Sequence, residues 1–212
     1  MIISVSRRTD IPAFYAEWFY NRLRAGYVLV RNPMNVHNVS KVALSPEVVD
    51  AFVFWTKNPL PLMKRLDELA EYPYYFQFTL TGYGKDIEPG LPDKKQTLLP
   101  AFKELAAKIS RQRVIWRYDP IFFSSRYSAE YHLECFEALA AELSGSTERC
   151  VISFMDEYRN TKRNAQKIAA VSYSNKEIYA FAARLAKIAD KYGLKLQTCA
   201  ETADFTPLGI TA

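Results

Sequence analysis

Short apolar segments alternate with amphipathic ones along this chain, and the alternation predicts a repeating strand–helix order. Six segments rich in β-branched and aromatic residues read as strands: Ile2–Ser6, Ala51–Thr56, Tyr74–Leu80, Arg113–Tyr118, Cys150–Met155 and Leu194–Thr198. Several are almost continuously apolar, as strands covered on both faces of a parallel sheet are. Helical patterns separate them. In Lys176–Tyr192 the residues Ile178, Phe181, Ala182, Leu185, Ile188, Ala189 and Tyr192 form one wide stripe at helical spacing. Ser174 or Asn175 can cap its start, and Gly193 sits where a C-cap glycine belongs. Leu98, Phe102, Leu105, Ala106 and Ile109 make a second stripe, and Leu133, Phe136, Ala140 and Leu143 a third. Leu62, Met63, Leu66, Leu69 and Ala70 follow the Asn58-Pro59 breaker, and the first helix, about Phe14–Ala25, ends at Gly26.

One stretch interrupts the regular series. Tyr27–Arg31 reads as a hairpin arm paired with Val42–Leu44, with Asn32-Pro33 at the bend, so the region of about 27–45 is an insertion. The rest predicts a single α/β domain over residues 1–212, with parallel strands. No GxGxxG follows the first strand, which disfavours a dinucleotide-binding sheet. The expected fold is a partial TIM-like (β/α)6 barrel, because a complete eight-unit barrel takes about 250 residues.

Composition narrows the class. With 14 tyrosines, 13 phenylalanines and three tryptophans, the chain has the aromatic content of a packed core rather than of a disordered segment. No apolar run reaches the roughly 18 residues of a membrane span, and the amino terminus lacks a signal-peptide pattern. The expected location is the cytoplasm, with no membrane partner. Cys135, Cys150 and Cys199 are odd in number and lack a CxxC, so neither a disulfide framework nor a zinc knuckle is expected. With only His37 and His132, a histidine-rich metal centre is excluded, and no metal ligand is assigned. The formal net charge of +5 suits an anionic partner without selecting one.

Candidate chemistry gathers where the strands end. Strand one runs into Ser6-Arg7-Arg8-Thr9-Asp10, strand two into Thr56-Lys57-Asn58, and strand three into Thr81-Gly82-Tyr83-Gly84. The last three run into Arg117-Tyr118-Asp119, Ser153-Phe154-Met155-Asp156-Glu157-Tyr158 and Thr198-Cys199-Ala200-Glu201, while the opposite ends are blander. Active sites of parallel α/β folds are built at the carboxyl ends of their strands. The pattern therefore predicts a pocket at this rim that binds a small anionic ligand.

Each residue type has its own reason to be there. Arg7 and Arg8 are adjacent, so on a strand they face opposite ways and one of them serves the pocket. Arg117 lies inside an apolar strand and must be paired. Its partner is either Asp119, on the same face two positions on, or a bound carboxylate or phosphate. Asp119, Asp156 and Glu201 are candidates for proton exchange or oxygen ligation. Asp10, Lys57, Asn58, Thr81, Tyr83, Ser153 and Tyr158 join the arginines as candidates for binding substrate or cofactor, and Tyr83 can stack on a ring or donate a hydrogen bond. Cys199 is expected to pack as a small apolar residue.

Taken together, SRRTDIPAFY (Ser6–Tyr15), RNP (Arg31–Pro33), FWTKNP (Phe54–Pro59), FTLTGYG (Phe78–Gly84), EPGLP (Glu88–Pro92), WRYDP (Trp116–Pro120), SFMDEY (Ser153–Tyr158) and TCAE (Thr198–Glu201) are specific. They resemble one bacterial family, the domain-of-unknown-function family numbered 1848, over the whole chain. The resemblance implies a cytoplasmic, barrel-like βα protein. It also implies a cysteine-rich segment after Gly209-Ile210, with a CxxxCxxC block similar to that of radical-SAM enzymes and some likeness to spore photoproduct lyase. Three such thiolates would hold a [4Fe–4S] cluster with one iron open to S-adenosylmethionine. The sequence in hand ends at Ala212 without that block, so both cofactors are expected only if the motif follows.

The leading expectation is thus a radical-SAM-like enzyme scaffold of unknown reaction. Arg7, Arg8 and Arg117 would bind a cofactor carboxylate or substrate phosphate. Lys57 and Asn58 would position it, and Asp119, Asp156 and Glu201 would orient S-adenosylmethionine or move protons. Two alternatives stand beside it. One is a nucleic-acid-binding module using the basic and aromatic rim. The other is a metal-dependent hydrolase or isomerase with oxygen ligands. The oligomeric state has no sequence signature.

Overall fold

In a computed structural model the described residues are 1–6, 8–155 and 168–211. The chain forms two units, Met1–Phe78 and Thr79–Ala212. In the first, β1 (Ile2–Val5) pairs in parallel with β4 (Ala51–Thr56), which pairs in parallel with β5 (Tyr74–Thr79). β2 (Tyr27–Arg31) and β3 (Val39–Ala43) form a separate antiparallel hairpin.

The expected first helix comes in two pieces, α1 (Ile11–Phe14) and α2 (Ala16–Ala25). Asp10 caps an extra early turn, and Tyr15 leaves helical geometry between the two. Gly26, at φ +73°, closes α2 in the left-handed conformation that glycine adopts without a Cβ clash. The stripe over Leu62–Ala70 is likewise broken. α3 (Leu60–Met63) gives way at Arg65 (φ −140°) to a 3-10 turn over Leu66–Leu69. Phe19 of α2 meets Phe52 and Phe54 edge-on at 5.5 and 5.3 Å, and Phe54 stacks on Phe76 at 4.9 Å. These rings, with Leu62 and Leu69, are essentially fully buried. Such ring pairs add about 0.5–1.5 kcal/mol each beyond the area they remove from water.

In the second unit β6 (Val114–Ile121), β7 (Arg149–Phe154) and β8 (Lys195–Thr198) pair in parallel. β6 runs three residues beyond its expected end, through a cis Asp119–Pro120 bond, and its register with β7 shifts between Tyr118 and Ile121. α4 (Leu99–Ile109) follows a π-helical turn over Lys94–Leu98 that Asp93 caps. α5 (Ala129–Leu143) starts at the Ser128 cap. α6 (Asn175–Lys191) opens with a reciprocal capping box, in which Ser174 Oγ accepts the Glu177 amide and Glu177 accepts the Ser174 amide. Trp116 stacks on Phe136 at 4.8 Å, and its Nε1 donates to the Leu80 carbonyl at 2.8 Å.

Both units set helices against parallel strands, so the chain has a mixed α/β fold, as the alternating pattern predicts. Among the described residues no helix is long and apolar enough to cross a membrane.

Candidate functional site

In the first unit the loop after β1 is held by its own side chains. Ser6 Oγ accepts the amides of Thr9 at 3.1 Å and Arg8 at 3.4 Å, and donates to the Thr9 carbonyl. Asp10 bridges two elements: Oδ1 accepts the Ala13 amide at 3.0 Å and Oδ2 the Lys57 amide at 2.7 Å. Burial raises the Asp10 pKa, while bonds from the Lys57 amide, the Thr56 side chain and the Ala13 amide pull the other way. Asn58 donates its amide to Thr56 Oγ1 at 2.9 Å and accepts the Leu60 amide at 3.2 Å, which shapes the entry into α3. Lys57 is half-buried at the end of β4. Asp10 and Asn58 therefore build the loops. Arg7 lies outside the described residues.

Beside these loops is a cavity of about 460 Å3 between β1, α2 and the hairpin strand β2. Its walls are mostly aliphatic and aromatic, and Ser4, Ser6 and Thr9 bring hydroxyls. Among the described residues three arginines line it, Arg8, Arg22 and Arg31, and none of the lining residues is acidic. Arg8 is exposed and donates to the Arg31 carbonyl at 3.1 Å, while Arg31 Nη1 donates to the Val36 carbonyl at 2.9 Å. Arg22 Nε is buried and finds no hydrogen-bond acceptor among the described residues. Of these three, sequence reasoning picked out only Arg8. Arg22 and Trp18, spaced one turn apart on α2, were detectable only as a polar and an aromatic position beside the core residues Phe19 and Leu23.

In the second unit the rim residues are mostly occupied by each other. Arg117, 5% exposed, directs Nε to both oxygens of Asp119 at 3.0 Å and adds a contact from Nη2. Burial alone would lower the Arg117 pKa, but the bonds and attraction of Asp119, joined by Cys199, raise it. Thr81 donates to the buried Glu88 at 3.0 Å. Lys94 Nζ ion-pairs with Glu88 and donates to the carbonyls of Thr81 at 2.9 Å and Tyr83 at 2.6 Å. The Tyr83 hydroxyl donates to the Pro120 carbonyl at 2.9 Å and accepts the Phe122 amide at 3.0 Å, and its ring stacks on Phe122 at 4.6 Å. Burial pushes that hydroxyl's pKa well up. Glu201 accepts the Phe154 amide at 2.7 Å and so braces the end of β7, where Ser153 is half-buried. Asp156 and Tyr158 lie outside the described residues.

The cysteines are dispersed. Cys150 is fully buried in β7, Cys135 sits on α5, and Cys199 follows β8 with its amide on the Ile152 carbonyl at 3.2 Å. Burial raises the pKa of Cys150 and of Cys135, the opposite of what a thiolate ligand needs. Among the described residues no group of three His, Cys, Asp or Glu side chains is placed to hold a metal ion. These thiols do not fit an iron–sulfur cluster.

Parallel strands, flanking helices and an arginine-lined cavity beside β1 describe an α/β protein with a candidate pocket in its first unit. The chain belongs to the family described as Domain of unknown function (DUF1848), whose model matches residues 2–212. Comparison with curated proteins gives no match.

Proposed function

We propose that this chain is the binding scaffold of an enzyme and takes a small anionic ligand in the cavity of the first unit, at the carboxyl end of β1. The observation that supports this reading is the lining itself, which among the described residues brings three guanidinium groups and no carboxylate. Most cations of a globular surface face carboxylates, as Arg184 faces Glu130 and Lys191 faces Glu137 here. A cavity with unbalanced positive charge between low-dielectric walls attracts and holds an anion more strongly than open surface does. Its volume also falls in the range of small-molecule sites.

The enzyme reading draws on the family resemblance to radical-SAM proteins. S-adenosylmethionine carries a carboxylate and an aromatic ring, but its ammonium and sulfonium make it a net cation, so only its carboxylate end suits this lining. When bound in such enzymes it supplies radical chemistry together with a cluster. The three cysteines here do not assemble a cluster site, and no reaction step is assigned through either group.

Thermal unfolding with S-adenosylmethionine, acetate, benzoate and inorganic phosphate tests the proposal. A ligand held at about 100 times its Kd stabilises the folded chain by roughly 2.7 kcal/mol. The expected result is a rise in Tm with at least one of the three anions, acetate, benzoate and phosphate, that falls when Arg8 and Arg31 are both replaced by Gln. No rise with any anion, or a rise indifferent to those replacements and to Arg22→Gln, removes the reading.

A further inference from the structure

The three arginines of the cavity are not equivalent. Arg8 and Arg31 are exposed and donate to backbone carbonyls. Arg22 projects from α2, and its Nε is removed from water with no acceptor among the described residues. A buried N–H left unbonded opposes folding by about 1–3 kcal/mol, and by more when the group is charged. Among the described residues Arg22 makes no ion pair, although Arg65 pairs with both Glu17 and Glu68 in the same unit. Arg22 also lines the cavity, and a small turn of its side chain would bring this unmet donor to an acceptor supplied by a ligand.

From Arg22 we infer that this side chain is the anion receptor of the cavity, and that the ligand is an organic carboxylate with an apolar or aromatic body. The inference rests on the reading of the cavity as an anion site and narrows it to one ligand class. The Nε–H and the neighbouring Nη–H of a guanidinium lie side by side and match the two oxygens of a carboxylate. Trp18, one turn earlier on α2, brings an indole to the same lining, and Phe19 and Leu44 are apolar wall residues. An inorganic oxyanion would leave that apolar wall covered only by water. A carboxylate with a hydrocarbon or aryl body would cover it while supplying the missing acceptor. Arg8 and Arg31, nearer to solvent, then steer the anion inward.

Isothermal titration with 3-phenylpropionate, acetate, phenyl phosphate and inorganic phosphate separates the possibilities. The wild-type chain should bind 3-phenylpropionate at least about tenfold more tightly than acetate or inorganic phosphate, a difference set by burial of the aryl group. Arg22→Gln should weaken it about tenfold or more, and Arg22→Lys should restore only part, because an ammonium lacks the fork. Neither change should lower the thermal midpoint. Tighter binding of phenyl phosphate than of 3-phenylpropionate, or unchanged binding in Arg22→Gln with loss in Arg8→Gln, would overturn the assignment while leaving an anion site standing. An Arg22→Gln chain that no longer folds makes Arg22 structural and also overturns it. If none of the four probes binds the wild type, the anion reading itself fails.

Discussion

Arg117 and Asp119 sit two positions apart on β6 and bond through both Asp119 oxygens, at 3.0 Å each from the arginine Nε. Residues at this spacing share a face of a strand, so the sequence brings them together directly. Both are nearly buried, with side chains 6% and 12% exposed. Asp119 is therefore a principal partner of the buried Arg117, with Cys199 beside it.

Breaking this pair should be costly and removing it cheaper. Asp119→Asn leaves a buried guanidinium short of its counter-charge, and one-sided loss of a buried pair costs roughly 3–5 kcal/mol. Arg117→Met with Asp119→Leu removes both charges and should recover part of that loss. Urea unfolding of the two single variants and the double variant forms a cycle. Additive losses would show that the two residues act independently.

Asp10 predicts a second stability effect. It accepts two amides, one in its own helical turn and one at the end of β4, forty-seven residues away. Asp10→Ala removes a helix cap and leaves the Lys57 amide without this acceptor. The expected loss is about 1–3 kcal/mol in urea midpoint experiments. Amide exchange at Lys57 should accelerate in the same variant, and unchanged exchange there would contradict the bridge.

The strands were legible because apolar runs of β-branched and aromatic residues are local signals. Ala51–Thr56 coincides with its predicted span. The helices were legible where a stripe ran unbroken, as in α6, and misread where one residue left helical geometry, as at Tyr15 and Arg65. The polar strand ends were visible, but not which of them would be tied up in contacts within the fold. That depends on bonds between distant residues, such as Asp10 to Lys57 and Glu201 to Phe154, which no local pattern encodes. Arg22 was hidden for the same reason: the wall opposite it comes from the hairpin strand and from β1.

His132 predicts a pH dependence. Its Nε2 lies 2.9 Å from the Phe122 carbonyl and its Nδ1 2.9 Å from the Tyr118 hydroxyl. A carbonyl only accepts, so Nε2 carries the proton and the neutral ring takes the tyrosine hydrogen at Nδ1. Burial lowers its pKa below the ordinary 6.5, with the Phe122 carbonyl pulling weakly the other way. The unfolded chain therefore binds the proton more readily than the folded one. The stability that comes from this site is complete above pH 6.5 and is lost as pH falls toward the depressed folded value. Urea midpoints between about pH 7.5 and pH 5 should drop more steeply in the wild type than in His132→Gln. Parallel slopes would place the acid sensitivity elsewhere.

Gly82 predicts a steric effect that joins the Thr81–Gly84 turn to α5. A Cβ built there would meet Cys135 Cβ at 2.8 Å and Cys135 Sγ at 2.9 Å, with the Tyr118 hydroxyl at 3.2 Å. Tyr131 donates its hydroxyl to the Gly82 carbonyl at 2.7 Å, so the turn cannot simply swing away. Gly82→Ala should destabilise the chain by about 1–3 kcal/mol through overpacking. Adding Cys135→Ala removes the sulfur but keeps the Cβ, so it should return only part of the loss. Complete recovery in the double variant would mean that the thiol alone sets the approach. No loss in Gly82→Ala would mean that α5 gives way, and the close approach of Gly82 to the Cys135 side chain would then not be what fixes this part of the second unit.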